Sequence, residues 1–216
     1  MSHGPTEKKA PWRGRILGVQ PRIRLLRSFD QRQHSYLGYV LILKGSPAFS
    51  DNRFFRVAIG KKAHEKHLFR AGDEVSGVSV PVADPELETA GLYKTSGLKL
   101  HGRETPDPAA ADKPPYLVIP PPLPTYRQHG HRRLDARTYD SKCSSCTWGC
   151  TMPVEITLDQ WTRSRGPDNV QRRMETFCYG PRECAFYKAG PIRKVRGRKP
   201  GMIHEDEGDT TTPEGG

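Results

Sequence analysis

The sequence predicts a mostly β protein in two parts, a five-stranded unit with one helix and a smaller cysteine-rich unit built on a β-hairpin. Two observations carry this reading. Between Trp12 and Leu100, short apolar runs and period-two alternation recur, separated by Gly, Pro and Asp. All five cysteines, Cys143, Cys146, Cys150, Cys178 and Cys184, fall in the last third of the 216-residue chain. The expected organisation is a β domain over 12–103, a proline-rich linker over 104–126, a cysteine-rich module with basic flanks over 127–200 and a disordered acidic tail over 201–216.

The first strand spans Arg13 to Leu26, with Ile16, Leu17, Val19, Ile23, Leu25 and Leu26 as its apolar set and Gly18 and Pro21 as points where it can bend. SYLGYVLIL (Ser35 to Leu43) is the second strand and FFRVAI (Phe54 to Ile59) the third. KKAHEKHLF (Lys61 to Phe69) favours helix, and Ala71-Gly72-Asp73 makes a turn. EVSGVSVPV (Glu74 to Val82) and Leu92 to Leu100 supply two further strands. His64 and His67 in the helix do not form a metalloprotease pair, because HEKH lacks the HExxH spacing, and they read as exposed helix residues.

Five strands with a helix between the third and fourth resemble the OB-fold, a Greek-key barrel, and GDEVSGV (Gly72 to Val78) is similar to the turn that leads into its fourth strand. The resemblance implies a ligand face on strands two and three, where aromatic rings stack unpaired bases and cations hold phosphates. Tyr36, Tyr39, Arg53, Phe54 and Arg56 match that face, while Phe54 and Phe55 must point to opposite sides of their strand, so one of them belongs to the core.

Thr105 to Thr125 is rich in proline and should be an extended, semi-rigid connector, with a partner protein that reads proline-rich segments as the sharper alternative. Beyond it, CSSCTWGC (143–150) and CYGPREC (178–184) flank residues 151–177. Val154, Ile156 and Leu158 alternate with polar residues, the loop RSRGPDN follows, and Val170 to Phe177 returns as the second arm of a hairpin. Two short thiol clusters around a hairpin are the layout of a zinc-ribbon-like module, in which four thiolates close a tetrahedral shell. Zinc is the expected cofactor and an iron–sulfur cluster the alternative, since CxxCxxxC also suits a cluster; five thiols leave one spare in either case. Trp148 and Tyr179 sit inside the clusters and suit shielding of the sulfurs, with stacking on bases as the alternative.

The formal charge of +11 and a pI near 9.6 favour a polyanionic partner, because each Lys or Arg placed on a phosphate releases a condensed counterion. Met1 to Arg103 carries 18 basic and 9 acidic residues, and Arg127 to Pro200 carries 16 and 7, so both parts share the excess. Arg132 and Arg133 before the first cysteine, and Arg193, Lys194, Arg196 and Arg198 after the last, are the expected phosphate contacts of the second part. No apolar stretch is long enough to span a bilayer, and the thiols together with the lack of an apolar leader point to a reducing, cytoplasmic setting with no membrane partner. GxSxG, GxGxxG, HExxH and the phosphate loop ending in GK[ST] are all missing, so an enzyme is the less favoured class. The reading is therefore a protein that binds single-stranded DNA or RNA, with an iron–sulfur redox or sensor protein and a zinc-stabilised adaptor as alternatives.

Overall fold

The computed structural model describes residues 8–27, 32–48, 53–105, 111–157 and 170–191. Among the described residues, eight strands form one mixed sheet: β1 (Ala10–Arg27), β2 (Arg32–Pro47), β3 (Phe54–Ile59), β4 (Glu74–Pro81), β5 (Leu92–Gly102), β6 (Arg132–Arg133), β7 (Gly149–Thr157) and β8 (Val170–Cys178). Three short helices accompany them, α1 (Lys61–His67), α2 (Leu123–His129) and α3 (Ala136–Thr138). The strand order is β2-β3-β5-β4-β1-β7-β8-β6, and β2 also pairs with β1, so β1 to β5 close into a ring with α1 between β3 and β4. The β3–β5 and β1–β7 pairings are parallel and the others antiparallel.

The length and curvature of β1 make this arrangement possible. Its first part, Ala10–Arg15, pairs with β4 while Trp12–Arg27 pairs with β2, and its last three residues pair with Val154–Ile156 of β7. Register shifts fall between Ile16 and Gly18 and between Arg22 and Ile23, beside the Gly18 and Pro21 positions expected to bend the strand. Such bulges change which side chains face inward and sharpen the local twist. Trp12, Ile16, Val19, Ile23 and Leu25 are all buried as a result. In β4, a Cβ at Gly77 would lie 2.7 Å from the Trp12 ring, so glycine there makes room for the indole.

One buried cluster joins Ile16, Leu41, Leu43, Val57, Val75 and Leu92 of the ring to Met152, Val154, Ile156 and Phe177 of the β7–β8 hairpin. Each fully buried aliphatic or aromatic side chain of that cluster contributes on the order of 1.5–3 kcal/mol through removal from water. Residues 111–122 run along this core rather than away from it. Tyr116 O accepts from Thr147 N at 2.8 Å, Val118 O from the Thr147 hydroxyl at 3.0 Å and Pro121 O from the Tyr39 hydroxyl at 2.9 Å. The chain then enters α2, with proline in its first turn, where a missing N–H costs nothing. Tyr126 of that helix is fully buried and donates to Thr147 O at 3.0 Å.

His64 departs from the expected exposed position. It is only 2% exposed, its ring stands 4.1 Å from that of Tyr39, and Nε2 lies 3.4 Å from the Pro120 carbonyl oxygen. The proline segment covers this face of α1, which the helical pattern alone does not reveal. The expected loop 163–169, the basic residues Arg193, Lys194, Arg196 and Arg198, and the acidic tail lie outside the described residues.

Candidate functional site

Two surfaces bring the singled-out residues together. The first is the outer face of β1, β2 and β3. Sheet register places Arg15 opposite Lys44 and Lys44 opposite Phe54, and all three side chains are exposed. In the adjacent row, Ile16 opposes Leu43 and Leu43 opposes Phe55, and this row faces the core. Phe55 meets Trp12 edge to face at 6.2 Å, whereas Phe54 is 56% exposed with the Lys44 ammonium 5.9 Å from its ring centre. Arg53 is exposed just before β3. Arg56, two residues along from Phe54, is half-buried and donates to the Tyr139 hydroxyl at 3.3 Å. Arg15 is engaged by Glu104 in an exposed pair, so the cation is present at the rim of this face but partly screened.

Tyr36 and Tyr39 sit differently. Tyr39 is 2% exposed and belongs to the core, and burial, with the nearby Glu65 charge second, pushes its phenol up to about 12. A ring so covered presents no stacking face. Tyr36 is half-buried under the Arg127 guanidinium, 5.0 Å from the ring centre. Neither adjoins the Arg15–Lys44–Phe54 row.

The second surface is a small pocket lined by Cys143, Cys146, Cys178 and Cys184 together with Tyr116 and Trp148 among its walls. All five cysteines are free thiols. The first thiol loop is a tight turn in which Cys146 N donates to Cys143 O at 3.0 Å and Gly149 N to Cys146 O at 3.0 Å. The second is closed by Cys184 N to Pro181 O at 3.3 Å, and Gly180 N donates to Cys178 Sγ at 3.4 Å. Register unites the two loops, since Cys178 lies opposite both Gly149 of β7 and Arg132 of β6. Burial pushes the Cys143 thiol up to about 12, and the next causes are the neighbouring sulfurs of Cys146, Cys178 and Cys184. Burial also raises Cys146, to about 11, against backbone amides of Trp148, Tyr116 and Gly149 that favour its thiolate. Among the described residues, no group of three or more His, Cys, Asp or Glu side chains is already gathered at metal-holding spacing.

Cys150 is elsewhere. It is 0% exposed within the central cluster, its Sγ lies 3.5 Å from Pro21 O, and burial pushes its thiol up to about 12. Trp148 lines the thiol pocket and stacks on His129 at 4.9 Å, while Tyr179 is buried behind it in the central cluster.

Arg132 serves the second thiol loop. Its guanidinium stands 4.2 Å from the Tyr187 ring centre, donates to the carbonyls of Gly180 at 3.0 Å and Pro181 at 2.7 Å, and reaches Cys178 Sγ at 3.9 Å. Arg133 lies 3.8 Å from Glu175. Of the six cations expected to meet phosphate in this part, the two among the described residues, Arg132 and Arg133, thus have partners within the chain.

Sequence reasoning missed Gln20, which is 3% exposed. Its Nε2 donates to the carbonyls of Cys143 at 3.0 Å, Cys146 at 3.0 Å and Ser144 at 3.2 Å, and its Oε1 accepts from the Tyr139 hydroxyl at 2.8 Å. The available signal was a polar residue inside an apolar strand pattern, which calls for buried partners. Gly18 allows the same approach, since a Cβ there would lie 2.1 Å from Ser145 O. Lys44, which caps the apolar run of β2, was the other omission.

Comparison with protein-family models, with curated proteins and with solved structures finds no match.

Proposed function

We propose that the five-strand ring is an OB-fold-type barrel and that the protein binds single-stranded DNA or RNA on the outer face of β1 to β3. The observation that carries this is the register row Arg15–Lys44–Phe54, in which an exposed aromatic ring lies beneath an ammonium group with a second cation in the same row. A base stacks on Phe54, Lys44 and Arg53 neutralise flanking phosphates, and Arg56 extends the cationic edge. The ring order, with α1 between β3 and β4, supports the barrel assignment. The net charge of +11 supports a polyanion over a neutral ligand. No step of bond chemistry is required; the activity is binding.

The test is fluorescence anisotropy with mixed-sequence single-stranded DNA and RNA oligonucleotides, titrated at several salt concentrations. The reading expects affinity that falls steeply as salt rises, with duplex DNA of equal length binding more weakly. Salt-independent binding, or none at low salt, overturns it.

A further inference from the structure

We propose that Cys143, Cys146, Cys178 and Cys184 form a tetrathiolate site for a single zinc ion, and that Cys150 is not a ligand. This inference does not depend on the ring binding nucleic acid.

Four free thiols from two loops line one pocket, and nothing in the chain's disulfide state explains their convergence. The pairing of Cys178 with Gly149 brings the two loops together at the end of the β7–β8 hairpin. Gln20 holds the first loop from behind through the Cys143, Ser144 and Cys146 carbonyls. Around the second loop, Gly180 N donates to Cys178 Sγ, the kind of bond that a thiolate accepts more strongly than a thiol.

Charge balance points the same way. Zn²⁺ bound by four thiolates leaves a local excess of two negative charges and returns the thiol protons to solvent. The Arg132 guanidinium is 3.9 Å from Cys178 Sγ, and Lys142 adjoins Cys143 with its ammonium 4.9 Å from the Phe186 ring centre. Arg132 approaches from β6, and Lys142 precedes the first thiol loop. The walls include Tyr116, Leu134, Trp148, Phe186 and Tyr187, aromatic and apolar side chains that keep water from the sulfurs.

The thiols are not yet at coordinating separation. Zinc requires each sulfur about 2.3 Å from the metal, so binding has to draw the four thiols inward through their side-chain torsions and the two loops that carry them. Cys150 has no such route. It follows Gly149 directly on β7, where successive side chains alternate faces, and it is enclosed with Met152 and Val154 in the central cluster.

The experiment uses the full chain, purified without chelator under anaerobic conditions. Zinc and iron are measured by elemental analysis, and the chain is then exchanged with Co²⁺, whose visible and near-ultraviolet bands report tetrahedral geometry and the number of thiolates bound. Wild type and Cys150→Ala should each hold one zinc and give the four-thiolate cobalt spectrum. Cys143→Ser and Cys184→Ser should lose the metal to a competing chelator at about tenfold or more lower chelator concentration. The cobalt spectrum of wild type keeps the proposal falsifiable if a serine variant fails to fold. A folded wild-type chain that binds neither metal, iron with sulfide in place of zinc, or loss of metal from a folded Cys150→Ala chain would each overturn it.

Discussion

The side-chain amide of Gln20 reaches across 123 residues of sequence to donate to the Cys143 carbonyl at 3.0 Å. The same residue binds the Ser144 and Cys146 carbonyls and accepts from Tyr139, so one buried side chain on β1 closes the first thiol loop against the ring. Tyr139 in turn accepts from Arg56 on β3. A continuous polar chain therefore runs from the outer face of the ring to the thiol pocket, through a region of low dielectric where each bond is strong and each missing partner costly.

Replacing Gln20 with Leu keeps the volume but removes every donor. The Ser144 carbonyl then loses this donor, the Cys143 and Cys146 carbonyls keep only the amides of Cys146 and Gly149, and the Tyr139 hydroxyl loses its acceptor, which should cost about 2 kcal/mol of folding stability. Urea unfolding followed by tryptophan fluorescence measures this as a lower midpoint with an unchanged slope. A loss under about 1 kcal/mol would mean that water satisfies those groups and that Gln20 is not the hub.

The ring face makes a separable prediction. Phe54→Ala should weaken binding to a single-stranded oligonucleotide by about tenfold, the effect of one lost base stack. Lys44→Ala should lower the slope of log affinity against log salt by about one, the signature of a lost phosphate contact. Both residues are exposed, so neither change should move the thermal midpoint. Met174→Ala, on β8 and likewise exposed, is the control that should leave affinity unchanged.

The strands of the ring and the helix between β3 and β4 were legible because their apolar runs are short, bounded by turn residues and rich in β-branched side chains. The hairpin β7–β8 was legible for the same reason. What the sequence could not reveal was which distant segments meet. The burial of His64 depends on the Pro120–Pro121 segment, and the separation of Cys150 from the other thiols depends on β7 pairing with β1 as well as β8. α2 was missed because prolines in and before Leu123–His129 read as an extended connector, whereas a proline in the first turn is compatible with helix. Tyr39 was read as a ligand contact because residue type alone does not tell a buried tyrosine with a partnered hydroxyl from an exposed one.

His64 predicts a loss of stability in acid. Burial lowers its pKa below the ordinary value, outweighing the Pro120 carbonyl and Glu65, which act the other way. The unfolded chain then takes up a proton at higher pH than the folded one, so stability is full above about pH 6.5 and declines as pH falls below it. His67 is shifted in the same direction by burial, Lys66 and Arg103, so wild type must be compared with a single variant. His64→Gln should show a shallower decline between pH 7 and 5 in chemical unfolding. Equal slopes for the two proteins would remove His64 as a contributor.

Cys150 predicts the opposite behaviour in alkali. Its thiol is pushed from 9.0 to about 12, chiefly by burial, with Arg56 and the Ile23 backbone opposing. Between those values the unfolded chain has lost the proton that the folded chain retains, so stability must fall as pH rises. The slope from this one group is about 1.4 kcal/mol per pH unit, absent below pH 9 and complete near pH 12. Tyrosines titrate in the same range, which makes Cys150→Ala the needed reference. That variant should start less stable at neutral pH, by about 1–2 kcal/mol for the lost packing, and then decline less steeply with pH. Convergence of the two stability curves between pH 9 and 11 would establish Cys150 as a protonated core residue. Parallel curves would mean that the thiol ionises as readily in the folded chain as in the unfolded one, and that the core around it admits water.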